Sequence, residues 1–385
     1  MTSENNVIEL LRNNNRKTLF NQIRMYKNIS RAELSLKTGI SAPAVTRVVS
    51  EFIDCGMVKE VGYSDVENVG RKPVKLSIKE DCIYALGLNI DIDELMMGCS
   101  DIGGNIIYSA HTNNFDPYDA EDVFRKALEL YKEIRNNITG NEANKIAGMG
   151  VAIPGLVNWA DGTTILSPQL RWRSVPLKAR LNQIFDMNVL VENNVRSYAS
   201  LEAMLGDTDK YNSFFAIELG SGLGAAYVNN GQVIRGENGA LGEIGHSLAV
   251  ENGELCDCGR RGCLQAYTCI SGLENRLGMK IDDIMKNRSE ERVRQVLDDA
   301  VHYLSMMVAN VANYYNPNAV IVFGKLFDLW PELFDLVQEH SKKMLWRPNE
   351  LDFQFQRSRF KSDELKVVAP ATVYFNDILM PKVSL

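Results

Sequence analysis

The spacing of apolar positions divides the chain near residue 80. Before that point Leu19, Phe20, Ile23 and Tyr26 recur at helical intervals and predict a first helix with one apolar face. Ser30 followed by Glu33 forms a capping box that starts a second helix through Leu34 and Leu36, stopped at Thr38-Gly39. Ser41 reads as another N-cap, with Pro43 in the first turn, where its missing N–H costs nothing. The third helix, roughly residues 42 to 53, carries Val45, Val48, Val49 and Phe52 as its buried stripe and ends at Asp54-Cys55-Gly56. The stretches MVKEVG and KPVKLSI then predict a strand pair. Two helices joined through a short glycine turn, with a hairpin behind, describe a winged helix-turn-helix over residues 1–80.

After residue 80 the period changes. YALGLNI, LMMGCSD, IAGMGVAIPG, NVLVENN, SFFAIELGSGLGAAYV and AVIVFGK read as strands. AEDVFRKALELYKEIRNNI and RVRQVLDDAVHYLSMMVANVANYY read as amphipathic helices between them. With the hairpin signal VNNGQVI, this alternation predicts a mixed-sheet α/β body in two lobes, residues 81–195 and 196–385, the last helices returning to the first lobe.

Charge sharpens the division. Residues 1–80 hold thirteen Lys and Arg against nine Asp and Glu, a net +4 in a chain of net −7, so the rest is at −11. A basic module on an acidic body suits phosphate binding by the module alone. In the usual docking Ser41, Ala42, Pro43, Thr46 and Arg47 face base edges of double-stranded DNA, Arg47 reading a guanine or holding a phosphate. Gly70, Arg71 and Lys72 form a flexible cationic wing tip suited to a minor groove. A three-helix protein-interaction module is the alternative. The 45% hydrophobic and 24% charged residues are those of a soluble globular protein, and no apolar run of about 18 residues offers a membrane span. Seven cysteines without a secretory leader pattern point to the reducing cytoplasm.

His246, Cys256, Cys258 and Cys263 supply one nitrogen and three sulfurs, the set of a closed tetrahedral zinc site with a structural role. Gly259 and Gly262 allow the tight turns between these ligands. A disulfide would leave an odd thiol; packing alone is the other reading. Cys55, Cys82, Cys99 and Cys269 match no ligand position.

The segments IPGLVNWADGTTI, VLVENNVRSYASLEAM, LGSGLGAAYVNNGQVIRGENGALGEIGH and CDCGRRGCLQAY resemble, in order and spacing, the ROK family of repressors, open reading frames and sugar kinases. With ISRAELS and GRKP before them, the chain resembles the repressor branch. The resemblance implies an actin-like, hexokinase-like two-lobed body and zinc at the cysteine loop. It also implies sugar contacts at Pro154, Gly155, Asn193, Asn194, Glu243, His246 and Gln265. His246 would then bind metal through one ring nitrogen and leave the other facing the sugar.

Three departures from the kinases argue against catalysis. Asn194 stands where the family's kinases place the catalytic Asp, and an amide is no base near neutral pH. Asp91 and Asp93 replace residues of the first phosphate loop, where carboxylates repel a triphosphate. Lys325 replaces a glycine near the adenosine position. Gln265 stands where the family usually has Glu, which removes a charge from the pocket. The expected function is thus a sugar-responsive transcriptional repressor, not an enzyme, acting as a homodimer or dimer of dimers on a palindromic operator. Residues 295 to 340 are candidates for dimerisation. An active sugar kinase, or a repressor controlled by a protein partner, remains as the alternative.

Overall fold

The computed structural model describes residues 3–63, 73–140, 142–208, 210–346, 353–361 and 364–379, so Gly70, Arg71 and Lys72 lie outside the described residues. The N-terminal unit consists of helices α1 (Ser3–Leu10), α2 (Asn14–Tyr26), α3 (Arg31–Thr38) and α4 (Ala42–Asp54). Its sheet joins β1 (Ile29–Ser30), β2 (Val58–Tyr63) and β3 (Val74–Ile78) in the order β1-β3-β2. The helix α1 and the strand β1 are additions to the pattern read from sequence. The capping box is present: Ser30 Oγ accepts from the Glu33 N–H, and Glu33 Oε2 accepts from the Ser30 N–H at 2.8 Å. Gly39 ends α3 at φ 68°.

Two local expectations fail, the Ser41 cap and the burial of Tyr26, while Leu36 lies within α3 as expected. Ser41 precedes α4 but makes no side-chain cap, because Pro43 occupies a position whose N–H a capping oxygen would accept. Tyr26 is 47% exposed, with Lys37 Nζ 4.0 Å above its ring, and Leu36 is 86% exposed. In place of Tyr26, α2 buries a polar stripe, Lys17, Asn21 and Arg24, on the side that meets the body.

The body contains two five-stranded sheets with one topology. The first holds β4 (Tyr84–Ile90), β5 (Leu95–Asp101), β6 (Ile106–Thr112) and, after helix α5 (Ala120–Asn137), β7 (Ile146–Ile153). A small antiparallel sheet of β8 (Leu156–Asn158), β9 (Thr163–Ser167) and β10 (Trp172–Val175) follows. Helix α6 (Leu177–Phe185) leads to β11 (Val189–Asn193) and thence to α7 (Asn194–Leu205). The second sheet holds β12 (Ser213–Leu219), β13 (Leu223–Asn229) and β14 (Gln232–Ile234). Short helices α8 (Gln265–Thr268), α9 (Ile270–Leu277) and α10 (Ile281–Lys286) precede the long α11 (Glu291–Tyr315). Then come β15 (Ala319–Phe323), α12 (Lys325–Leu329), α13 (Leu333–Met344) and β16 (Gln354–Arg357).

The orders are β11-β7-β4-β5-β6 and β14-β13-β12-β15-β16. In each sheet the first three strands run antiparallel, the fourth pairs parallel to the first and the fifth pairs parallel to the fourth. Strands buried along their whole length, such as β4, β5 and β15, read as continuous apolar runs because both faces are covered. Helix α11 buries Val293, Val296, Leu297, Ala300, Val301 and Leu304 in the second lobe's core, which leaves the outer part of segment 295–340 as surface.

The chain closes with a π-helical turn, Glu364–Val368, running into α14 (Ala369–Leu379). This last helix lies on the first sheet, where Gly150 leaves room for it: a Cβ there would stand 1.7 Å from the Pro370 carbonyl oxygen. Residues of α14, Ala371, Phe375, Ile378 and Leu379 among them, share one apolar cluster with Leu19, Phe20, Ile23, Leu34 and Phe52 of the N-terminal unit. Among the described residues no helix is long and apolar enough to cross a membrane.

Candidate functional site

All seven positions assigned by resemblance to a sugar line one cavity of about 400 Å³ between the two sheets: Pro154, Gly155, Asn193, Asn194, Glu243, His246 and Gln265. Asn193 is placed by the strand-to-helix junction. Its Oδ1 accepts from the Arg196 N–H at 3.2 Å and caps α7, while its Nδ2 donates to the Gly155 carbonyl at 3.0 Å. Gly155 has φ 104°, and a Cβ on it would meet the Leu166 carbonyl oxygen at 2.4 Å, so the small sheet closes on the cleft only with glycine here. Asn194 is the first residue of α7 and is half-buried.

Beneath the cleft lies a buried ion cluster that sequence reading passed over. The Glu192 carboxylate accepts from Arg196 Nε and Arg235 Nε, each at 2.7 Å, and from the Asn193 N–H at 2.9 Å. Burial opposes its charge, but the Arg235 and Arg196 guanidiniums more than offset that and hold the carboxyl below its ordinary range. Arg196 also donates to the Gly239 carbonyl at 2.8 Å, which fixes the loop leading to Glu243, and Arg235 lies 3.8 Å over the Trp159 ring. Glu192 is therefore tied down by two guanidiniums and a backbone N–H.

At the other end of the cleft the second acid is Glu218, not Asp93, which is exposed and lies outside the lining. Asp91 and Glu218 both line the cavity. Burial, with Asp91 beside it, pushes the Glu218 carboxyl up to about 7, and burial likewise raises Asp91. An acid within the otherwise apolar run SFFAIEL was the available signal. Gln169 and Arg260 are further lining residues that the sequence reading missed. Lys325 is exposed at the start of α12 and is not among the lining residues.

The metal loop stands at the cleft wall. His246 Nδ1 lies 3.9 Å from Cys256 Sγ, Cys258 Sγ lies 3.7 Å from Cys263 Sγ, and all four donor atoms fall within 4.8 Å of one another. Donors bound at about 2.0–2.3 Å around a tetrahedral ion stand roughly 3.5–3.8 Å apart, so these two pairs are already near metal-bound spacing and the set holds one ion after drawing together by up to about 1 Å. Cys256 and Cys263 are buried and Cys258 faces the cleft. Gln265 donates through Nε2 to Cys256 Sγ at 3.3 Å, so its amide is shared between the metal loop and the cleft. The thiols of Cys82, Cys99 and Cys269 are buried and Cys55 is half-buried, apart from this group.

On the N-terminal unit, α4 presents Ser41, Ala42, Pro43, Thr46 and Arg47 together on an exposed face, opposite buried Val45, Val48, Val49 and Phe52. Thr46 Oγ1 donates back to the Ala42 carbonyl at 2.9 Å. Arg47 makes no ion pair among the described residues and is free to reach outward.

Comparison with known proteins adds the following. The xylose repressor of Caldicellulosiruptor bescii is 27% identical over 345 residues, covering 83% of this chain and 86% of that protein. The DNA-binding transcriptional dual regulator NagC of Escherichia coli is 23% identical over 340 residues, covering 83% and 82%. The crystal structure of a ROK family transcriptional regulator, a homolog of the E. coli MLC protein, superposes with a TM-score of 0.78 at 21% identity, covering 95% of this chain and 96% of that one. A ROK family glucokinase from Streptomyces griseus, in complex with glucose and AMPPNP, gives 0.64 at 21% identity over 75% of this chain and 98% of its own. The fold is thus the mixed α/β fold common to ROK regulators and ROK kinases. Residues 87–363 match the ROK family, and the chain belongs to it.

Proposed function

We propose that the protein is a sugar-responsive transcriptional repressor whose body has kept the sugar half of a kinase cleft and lost the phosphoryl-transfer half. The carrying observation is the state of the cleft. Asn194 stands where the resemblance puts the kinase base, its acidic neighbour Glu192 is held by Arg196 and Arg235, and Asp91 and Glu218 add two carboxyl groups to the same lining. Residues 1–80 are the winged helix-turn-helix unit, with 81–195 and 196–385 as the two lobes and α14 returning to the first. Helix α4 enters the major groove, and Ser41, Ala42, Pro43, Thr46 and Arg47 face the bases and phosphates. Xylose and N-acetylglucosamine repressors among the relatives support this reading.

The sugar sits against Pro154, Gly155, Asn193, Asn194, Glu243, His246 and Gln265, which offer both donors and acceptors to hydroxyl groups. The metal is zinc, held by His246, Cys256, Cys258 and Cys263; with four protein ligands it leaves no open position for water and serves structure. His246 meets the metal through Nδ1 and presents its remaining edge to the cleft, so metal binding sets the shape of the sugar pocket. Two chains act together on a palindromic operator in the cytoplasm. The effector works only to the extent that its affinity differs between the DNA-competent and DNA-released states.

The test is binding of the zinc-loaded protein to the DNA upstream of its own gene at fixed salt. Xylose, glucose, N-acetylglucosamine and phosphorylated hexoses are added in turn. A tenfold change in affinity with one of them is expected, about 1.4 kcal/mol of coupling. DNA binding that no sugar changes would replace the sugar by a protein partner, and phosphorylation of a sugar with ATP would restore the kinase reading.

A further inference from the structure

The effector reading above requires a physical path from the cleft to the DNA-facing unit, and one helix reaches from one to the other. Asn193 and Asn194, at the N-terminal end of α7, line the cleft. Its twelve residues span about 18 Å. At the far end the Met204 carbonyl accepts a hydrogen bond from Arg24 Nη1, a side chain of α2 in the N-terminal unit. Arg24 is only 7% exposed, and Asn21 Oδ1 holds it from both Nε (3.0 Å) and Nη2 (2.8 Å). Burial lowers its pKa to about 10, so it remains a cation at neutral pH.

A second anchor repeats the device. Lys17 Nζ donates to the Asp377 carbonyl at 3.2 Å, near the C-terminal end of α14, and Lys17 is also 7% exposed. Each cation thus meets the negative end of a helix dipole. Lys17, Asn21 and Arg24 are spaced four and three apart and form one stripe on α2, one turn above another. A cavity of about 650 Å³ lies beside this junction, lined by Arg24, Lys27, Met204 and Arg359 among others.

We infer that Arg24 and Lys17 are positioning residues that transmit the state of the cleft to α4, with α7 as the strut between them. This rests on the effector reading proposed above. A ligand held by Asn193 and Asn194 moves the N-terminal end of α7. A packed helix moves as a unit, so the Met204 carbonyl moves with it and takes Arg24 and α2 along. Neither residue touches DNA or ligand; both determine how strongly one site feels the other.

The test measures operator affinity at fixed salt for wild type, Arg24→Met, Arg24→Lys and Lys17→Met, with and without the sugar that acts in the panel above, together with the affinity for that sugar alone. Arg24→Met is expected to keep sugar affinity within twofold and sugar-free operator affinity within threefold. Its sugar-induced change should fall from tenfold or more to below threefold. Arg24→Lys should restore most of the response, because an ammonium still reaches a helix-end carbonyl. A purely structural anchor would instead weaken operator binding equally in both conditions and leave their ratio intact, which overturns the inference. If Arg24→Met does not fold, the same ratio is read from Lys17→Met, where an undiminished response overturns it as well. A wild type that answers to no sugar overturns the effector reading and this inference together, whereas a responsive wild type matched by responsive variants overturns the inference alone.

Discussion

Replacing Glu192 with Gln tests the claim that the floor of the cleft is an ion cluster and not an incidental contact. Glu192 and Arg196 have side chains 1% and 2% exposed, so water cannot compensate a lost partner, while Arg235 is 28% exposed and contributes less. An amide accepts from one guanidinium but turns its NH2 towards the other, leaving a buried cation without its counter-charge. Breaking one partner of a buried pair costs about 3–5 kcal/mol, and the exposure of Arg235 together with the remaining Arg196–Gly239 bond places the expectation near about 3 kcal/mol. Urea denaturation at pH 7 followed by circular dichroism measures it; a fall in melting temperature of about 3–5 °C should accompany the loss in a chain of this length. The sign with pH is fixed. The folded carboxyl titrates below its unfolded value, so its contribution is complete above the unfolded value of about 4.3 and disappears as pH falls through the folded one. Wild type and Glu192→Gln should therefore converge in acid. A difference under about 1 kcal/mol at pH 7, or one that persists unchanged at pH 3, would refute the reasoning.

Four further outcomes are expected. Arg47→Ala should weaken operator binding by about 1–3 kcal/mol with relaxed preference at one base pair if Arg47 reads a base; if it holds a phosphate, the salt slope should fall by about one instead. Cys258→Ser should reduce bound zinc from one ion per chain to a small fraction, read by elemental analysis, with loss of the sugar response; full zinc content would contradict the assignment. Burial raises Glu202 to about 7 in the folded chain, above its unfolded value, so its contribution is complete in acid and is lost as pH rises through about 7. Glu202→Gln should accordingly gain on wild type by up to about 3 kcal/mol between pH 4.5 and 8 in denaturant titrations. Asn194→Asp alone should leave ATP-dependent sugar phosphorylation at background, because Asp91 and Glu218 still place two carboxyl groups in the cleft lining; measurable turnover would refute the reading of the cleft proposed above.

The regular parts of the fold were legible where period and apolarity agreed. YALGLNI, LMMGCSD and AVIVFGK became β4, β5 and β15 because strands covered on both faces leave continuous apolar runs. The Cys3His loop and the seven cleft positions converge as the motif order implied. Lys17, Asn21 and Arg24 could not be read, since a polar helical stripe looks solvated until a partner surface with free carbonyls covers it. Glu218 was hidden inside an apolar strand, and the ion cluster around Glu192 joins residues more than forty positions apart. Ser41 fails as a cap for a reason visible in sequence: the proline two residues later, harmless to the helix ladder, removes one of the N–H groups the cap oxygen would accept from.

The apolar cluster that joins Phe20 and Phe52 to Phe375 and Leu379 bears on how such regulators are recombined. A glucokinase of the same fold corresponds to only 75% of this chain, so a kinase body stands without any such unit in front of it. In this chain the two parts share a core, and cutting after residue 80 would strip the partners from one side of α14. Heating should then melt the full chain in a single transition, and the isolated body should be prone to self-association. If the function proposed above holds, chimeras that join another N-terminal unit to this body will keep the coupling only where the incoming unit brings an α2 face shaped for α14.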